Sequence, residues 1–332
     1  MNAVANLAVL LEAFFTDRLM RQRKASPHTV ASYRDTFRLF LRFARNRLHR
    51  PPSQLTLDDL DAPLVGAFLD DLQKKRGNSF RTRNARLAAI RSFFNYVALQ
   101  EPAHSALIQR VLAMPNQRGE RKVIAFLTPP EIDALLTAPD RNTWSGRRDR
   151  TLLLLMVQTG LRVSEVVGLR CDDVVLGTGA HVRCQGKGRK ERCTPLRRDA
   201  VDILRHWLRE RGAASTEPLF PNARGATLSR DGIAYILSKH TAVARKCCPS
   251  LARKRVSPHV LRHSMAMDLL HHGVDRSVIA LWLGHESAET TQMYLHASLE
   301  LKEQALARTA PRHLPAGRYR PDDRILAFLN SL

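Results

Sequence analysis

The residue types best suited to chemistry stand in short segments bounded by glycine or proline. In Thr159-Gly160-Leu161-Arg162-Val163-Ser164-Glu165 an arginine directly follows a helix-ending glycine, where the next helix begins. Free backbone N–H groups at a helix start suit an anion, so Arg162 reads as a phosphate clamp. Taken alone it is a weak signal, since such an arginine can equally cap, pair or solvate. Ser257-Pro258-His259-Val260-Leu261-Arg262-His263 is sharper. Ser-Pro starts a helix, and His259 and Arg262 at i, i+3 share one face of its first turn, so a proton-transfer group and a second forked cation point the same way. Leu283-Gly284-His285-Glu286-Ser287 ends one helix at Gly284, leaves His285 in the turn and opens another helix, which carries Tyr294.

The chain has only five tyrosines. Tyr33, Tyr96 and Tyr235 fall in apolar-rich helices, where an aromatic is ordinarily core. Tyr319 lies between Arg318 and Arg320 in a broken tail that would hold no group rigidly. Tyr294 shares a short stretch with His285 and is the candidate nucleophile, although on position alone a core aromatic fits it as well. The i, i+4 pair His259 and His263 invites a metal reading. A zincin needs Glu beside its first histidine to activate water, and Val260 stands there. No Cys or carboxylate cluster completes a site, so His263 reads as a supporting or packing residue and no metal or other cofactor is expected.

Helices must hold most of these groups. Apolar positions at three- and four-residue spacing, Leu7, Leu10, Leu11, Phe14 and Phe15, then Phe37, Leu39, Phe40, Leu41 and Phe43, predict a helical bundle over residues 5–112. Ser26-Pro27 starts its second helix, and Thr56-Leu57-Asp58-Asp59-Leu60 opens a short one. Arg21, Arg23, Lys24, Lys74, Lys75, Arg76, Arg81, Arg83, Arg86 and Arg91 give it one sign of charge, which reads as a phosphate-tracking surface. Breaker-rich Pro115 to Lys122 reads as a linker. Thr128-Pro129-Pro130-Glu131 launches a further helix, and a long apolar one runs from Arg147 to Gln158. Ala180 to Gln185 and Glu191 to Leu196 alternate around Gly186-Lys187-Gly188-Arg189, predicting a β-hairpin with a basic tip. Helices then follow at 197–212, 228–246, 258–273, 275–282 and 287–308. The fold class is mainly α with a small β-sheet: an N-terminal helical bundle over 1–113, a linker over 114–126, a mixed α+β domain over 127–310, and a tail over 311–332. In that tail Ile325, Phe328, Leu329 and Leu332 make one apolar helical face, which either folds back or docks into a neighbouring protomer.

The 332 residues carry 53 Lys plus Arg against 31 Asp plus Glu, a net charge of +22 that implies a polyanionic partner, nucleic acid above all. No apolar run reaches the roughly 18 residues of a membrane span. Residues 1–11 lack a basic start and run into Glu12 and Asp17, so they read as an amphipathic helix and not as a signal peptide. Cys171, Cys184, Cys193, Cys247 and Cys248 are odd in number and show no C-x-x-C pair, as expected of free thiols in a cytoplasmic protein.

Taken in order, Arg162, Lys187, His259, Arg262, His285 and Tyr294 resemble the active-site signature of the tyrosine recombinases, the phage-integrase type. The Thr-Gly-Leu-Arg box, Gly-Lys-Gly tip, His-x-Leu-Arg-His box, Leu-Gly-His turn and following tyrosine are all present. The layout is most similar to Xer-like and mobile-element integrases without an added arm-binding domain. The resemblance implies a core-binding bundle followed by a catalytic domain, acting on double-stranded DNA recombination sites as a homo-oligomer, a tetramer on DNA, or with related recombinases. It implies cleavage through a 3′-phosphotyrosyl link, in which His259 assists proton movement at the nucleophile, His285 hydrogen-bonds the phosphate and Lys187 protonates the departing oxygen. Neither ATP nor metal is called for. A type IB topoisomerase shares this chemistry, a transposase would need a carboxylate triad, and a DNA-binding regulator would need none of these residues.

Overall fold

Short polar side chains and prolines start most of the helices. The computed structural model describes residues 6–119, 124–186, 191–212, 214 and 216–284, and the chain divides into two units after Arg121. In the first unit, α1 (Leu7–Ala13) begins where the Asn6 side chain accepts the Ala8 amide, and it runs without a break into a π-helix over Phe14–Gln22. Helices α2 (Pro27–Leu48), α3 (Ala62–Lys74) and α4 (Phe80–Val97) are capped by Ser26, Asp61 and Ser79, and α5 (Ser105–Leu112) completes the bundle. Phe14 sits at its centre, with Tyr33, Phe37, Phe93 and Tyr96 within ring contact. Tyr33 and Tyr96 are thus packed as expected.

Two expectations for this unit need correction. Residues 56–60 do not open a helix. The Asp59 carboxylate accepts both the amide and the hydroxyl of Thr56, closing a local turn that competes with helix, and α3 starts only after the Asp61 cap. The basic residues are also not uniformly free for phosphate. Arg86 donates to the Ser32 carbonyl and the Thr36 hydroxyl, tying α4 to α2, and Arg91 donates to Asn116.

The second unit opens with α6 (Pro129–Thr137), where the Glu131 carboxylate reaches back to the Thr128 amide, and α7 (Trp144–Thr159), capped by Thr143 and ended by Gly160 in the left-handed region. The short α8 (Val163–Gly168) leads into an antiparallel sheet of β1 (Val174–Val175), β2 (His181–Gln185) and β3 (Glu191–Pro195), ordered β1-β2-β3. Strands β2 and β3 are the expected hairpin, paired from His181↔Pro195 to Gln185↔Glu191, and β1 is an addition to it. Helices α9 (Arg198–Arg211), α10 (Arg230–Cys247), α11 (Pro258–His271) and α12 (Arg276–Leu283) follow. The architecture is therefore mainly α with a small sheet. No helix among the described residues is long and apolar enough to cross a membrane.

Tyr235 corrects a third expectation, because it is 71% exposed. The buried stripe of α10 is Ile233, Ile236, Leu237, His240, Thr241 and Ala244, and Tyr235 stands off that stripe. His240 on the stripe meets a buried charge on α7. Its Nε2 lies 2.8 Å from Asp149, whose other oxygen takes Nε and NH2 of Arg148, while Arg148 NH1 donates to the Pro221 carbonyl. Burial alone would raise the Asp149 pKa, but the His240 and Arg148 hydrogen bonds hold it below the ordinary carboxylate value. Removing this acceptor strands a guanidinium that is only 8% exposed. Asp149→Ala should therefore lower the stability of the second unit by about 3–5 kcal/mol, read from the urea midpoint; a loss under about 1 kcal/mol would show that the network is not what fixes α7 against α10.

Candidate active site

Arg262 is one turn into α11, which starts when the Ser257 hydroxyl accepts the Val260 amide. Its guanidinium is buried and faces two helix ends. NH1 donates to the Gly160 carbonyl at 2.7 Å and NH2 to the Leu283 carbonyl at 2.5 Å. Arg162, the cap residue of α8, donates through NH2 to the next carbonyl, that of Gly284, at 3.0 Å. The last carbonyls of a helix have no partner within it and form the negative end of its dipole, so cations are the natural acceptors' match there. Trp282 adds a bond from its indole N–H to the Thr159 carbonyl. Together, Arg262 and the indole join the ends of α7 and α12, and Arg162 ties the start of α8 to the same α12 end.

Both helices must end abruptly for this to happen. Gly160 and Gly284 each have φ of +62°, a conformation that side chains disfavour. A Cβ on Gly160 would lie 2.9 Å from Leu283 Cδ2, and one on Gly284 would lie 2.5 Å from Arg192 NH1. The two arginines found by sequence thus converge on one corner of the chain, Leu283–Gly284, directly before His285.

Arg162 keeps a partly exposed side chain, 31%, and among the described residues its N–H groups bond Gly284 and, at 3.0 Å, Glu165. The sequence reading left the Arg162 backbone amide free for an anion, and the structure corrects it: Glu165 Oε2 takes the amide at 2.7 Å. Glu165 itself is 3% exposed and is also gripped by Arg192 of β3, with NH1 to Oε1 at 2.9 Å and NH2 to Oε2 at 2.8 Å. Burial would raise the pKa of Glu165, but the bonds from Arg192 and the Arg162 amide hold it below the ordinary value. Glu165 and Arg192 were not singled out from sequence. The signals were present: Glu165 is three residues after the cap position, the spacing of a capping box, and Arg192 shares inward parity with buried Thr194 on its strand.

His259 and Arg262 share the first turn of α11 but part in burial, His259 being exposed. His263 is half-buried; burial first, then the charges of His259 and Arg262, push its pKa down to about 4. Among the described residues no group of three His, Cys, Asp or Glu side chains could hold a metal ion. Lys187, His285 and Tyr294, with the 287–308 helix, Tyr319 and the tail, lie outside the described residues. Lys187 falls within the connection between the paired ends Gln185 and Glu191.

The fold belongs to a known class. Residues 125–300 match the phage integrase family, and residues 12–101 match the phage integrase N-terminal SAM-like domain. The chain is 60% identical to a putative integrase/recombinase, y4rC, of Sinorhizobium fredii over 99% of both chains. It is 35% identical to the tyrosine recombinase XerC of Pelobacter propionicus, covering 86% of this chain and 90% of that one. The structure of the XerH site-specific recombinase bound to a palindromic difH substrate, a post-cleavage complex, shares the fold, with a TM-score of 0.70 at 24% identity over 86% of this chain and 81% of that one. The chain belongs to the phage integrase family and is an enzyme of its tyrosine-type site-specific recombinase class.

The His263 shift sets a pH dependence. The unfolded chain takes up this proton near pH 6.5 and the folded one only near about 4, so between these values the unfolded state binds more protons and folding stability falls as pH drops. Relative to the native sequence, His263→Gln should therefore gain stability as pH is lowered from about 6.5 to about 4, measured as the difference in unfolding free energy. A difference that stays constant over that window would contradict the shifted histidine.

Proposed function

We propose that this enzyme cuts and rejoins double-stranded DNA with Tyr294 as nucleophile, Arg162 and Arg262 on the scissile phosphate, and Lys187, His259 and His285 as the remaining catalytic set. The observation that carries the reading is the convergence of both arginines on the Leu283–Gly284 corner, one residue before His285. Relatives named as integrases and tyrosine recombinases support it, as does a fold shared with XerH solved on its difH substrate.

The chemistry follows from the side chains. A free phenol has a pKa of about 10 and attacks a phosphodiester poorly until a base assists it and the phosphate charge is offset. Arg162 and Arg262 oppose the charge that grows on the non-bridging oxygens. Exposed His259 is free to meet the phenol proton, and His285 donates to the phosphate. Tyr294 Oη forms a bond to phosphorus as the bond to the 5′ oxygen breaks, and Lys187 delivers a proton to that oxygen. The 3′-phosphotyrosyl link keeps the phosphodiester activated, so a 5′ hydroxyl from another duplex reverses the step without an energy source. Two rounds pass through a Holliday junction within a tetrameric synapse. The basic N-terminal bundle grips the core site, with the linker at 114–126 joining it to the catalytic domain.

Tyr294→Phe should retain specific site binding and form no covalent protein–DNA adduct on a nicked suicide substrate; any adduct refutes the nucleophile. Arg162→Ala and Arg262→Ala should each slow cleavage on the order of 10² or more. A substrate with sulfur in place of the scissile 5′ oxygen should restore cleavage to Lys187→Ala, because a thiolate leaves unprotonated. Restoration of Lys190→Ala instead would move the acid to the neighbouring lysine.

A further inference from the structure

Glu165 poses a problem for the arginine beside it. A carboxylate that is 3% exposed, paired with Arg162 alone, would cancel the charge that Arg162 is to offer a phosphate. The structure supplies a second cation. Arg192 occupies both Glu165 oxygens with NH1 and NH2, so two guanidinium groups face one carboxylate and one positive charge is left over. Every acceptor site is used: Oε1 takes Arg162 NH1 and Arg192 NH1, and Oε2 takes the Arg162 amide and Arg192 NH2.

The placement of Arg192 is also unusual for a hairpin residue. It stands opposite Cys184 in the ladder, on the face that buries Val182 and Thr194, and its side chain is 13% exposed. Its guanidinium lies so close to the Gly284 backbone that a Cβ there would collide with NH1. One side chain from β3 therefore touches both the group that orients Arg162 and the turn whose carbonyl Arg162 holds. A lysine could supply the charge but not the forked, two-point geometry.

We propose that Arg192 is a positioning residue for strand cleavage: by neutralising and fixing Glu165, it leaves the charge of Arg162 uncompensated and aimed at the scissile phosphate. This rests on Arg162 being a phosphate clamp. The carboxylate is what makes Arg192 necessary, so removing the carboxylate should relieve its loss.

The test is single-turnover cleavage of a suicide substrate by the full chain, with thermal midpoint and single-site DNA binding followed in parallel. Arg192→Gln should slow cleavage on the order of 10-fold, less than the 10² expected of the clamp itself. Arg192→Gln combined with Glu165→Gln should cleave about threefold or more faster than Arg192→Gln alone. A double variant as slow as or slower than the single overturns the proposal. A second substrate carries an uncharged methylphosphonate at the scissile position, where a clamp has less charge to offset. There the deficits of Arg162→Ala and Arg192→Gln should both shrink. If the Arg162→Ala deficit does not shrink, the clamp reading fails; if it shrinks and that of Arg192→Gln does not, the clamp stands and the role of Arg192 falls. Should Arg192→Gln not fold, Arg192→Lys, which keeps the charge and loses the two-point grip, replaces it and should show a smaller deficit with the same methylphosphonate response.

Discussion

A guanidinium leaves water only if its N–H groups find acceptors, and the second unit meets that demand with the loose ends of helices. Arg262, 5% exposed, bonds the carbonyls that close α7 and α12. Those carbonyls would otherwise face the interior unpaired, so each side solves the other's problem. The arrangement dictates much around it. Both helices must turn off sharply, which places glycine at 160 and 284, and α11 must start where its first turn reaches both ends. Arg162 then falls beside Gly284 because it caps α8 only two residues after Gly160.

The same economy governs charge. A protein carrying +22 cannot spend arginines at random on its own carboxylates if some must remain available to an anion. Among the described residues of the second unit, the buried acids each meet more than one cation or donor. Asp149 has Arg148 and His240, Glu131 has Lys254 and Ser250, and Glu165 has Arg162 and Arg192. Their pKa values are all lowered despite burial. These three acids are ionised at neutral pH and act as fixed anchors.

Sequence was most legible where a local rule has one answer. Ser-Pro, Thr-Pro-Pro-Glu and Gly after an apolar stretch marked helix starts and stops within a few residues of those observed, and strict alternation around a glycine-bounded tip gave the hairpin. Of the boxes singled out by residue order, the structure brings Arg162 and Arg262 to one corner, because each stands where a helix starts beside the end of α12. Sequence was less informative where two uses of one residue compete. Asp59 could sit in a helix or close a turn, and its bonds to Thr56 decided for the turn. Tyr235 was on an apolar helix, but the phase of that helix against the core is set by tertiary packing, and the tyrosine came out on the solvent side. Arg192 and Glu165 were hidden for a related reason: an exposed ion pair and a buried one look alike in one dimension.

The reach of the arginine bonds has a consequence for how the protein is made. Arg162 meets its carbonyl 122 residues further along the chain, and Arg262 bonds backward across 102 residues and forward across 21. The first unit has its own core and can collapse while later residues are still on the ribosome, since domains fold from the N-terminus during synthesis. The corner at 283–284 cannot close until translation has passed it. A nascent or prematurely terminated chain can thus present a folded bundle while its two arginines remain apart, and the corner at which they converge is among the last parts of the described fold to form.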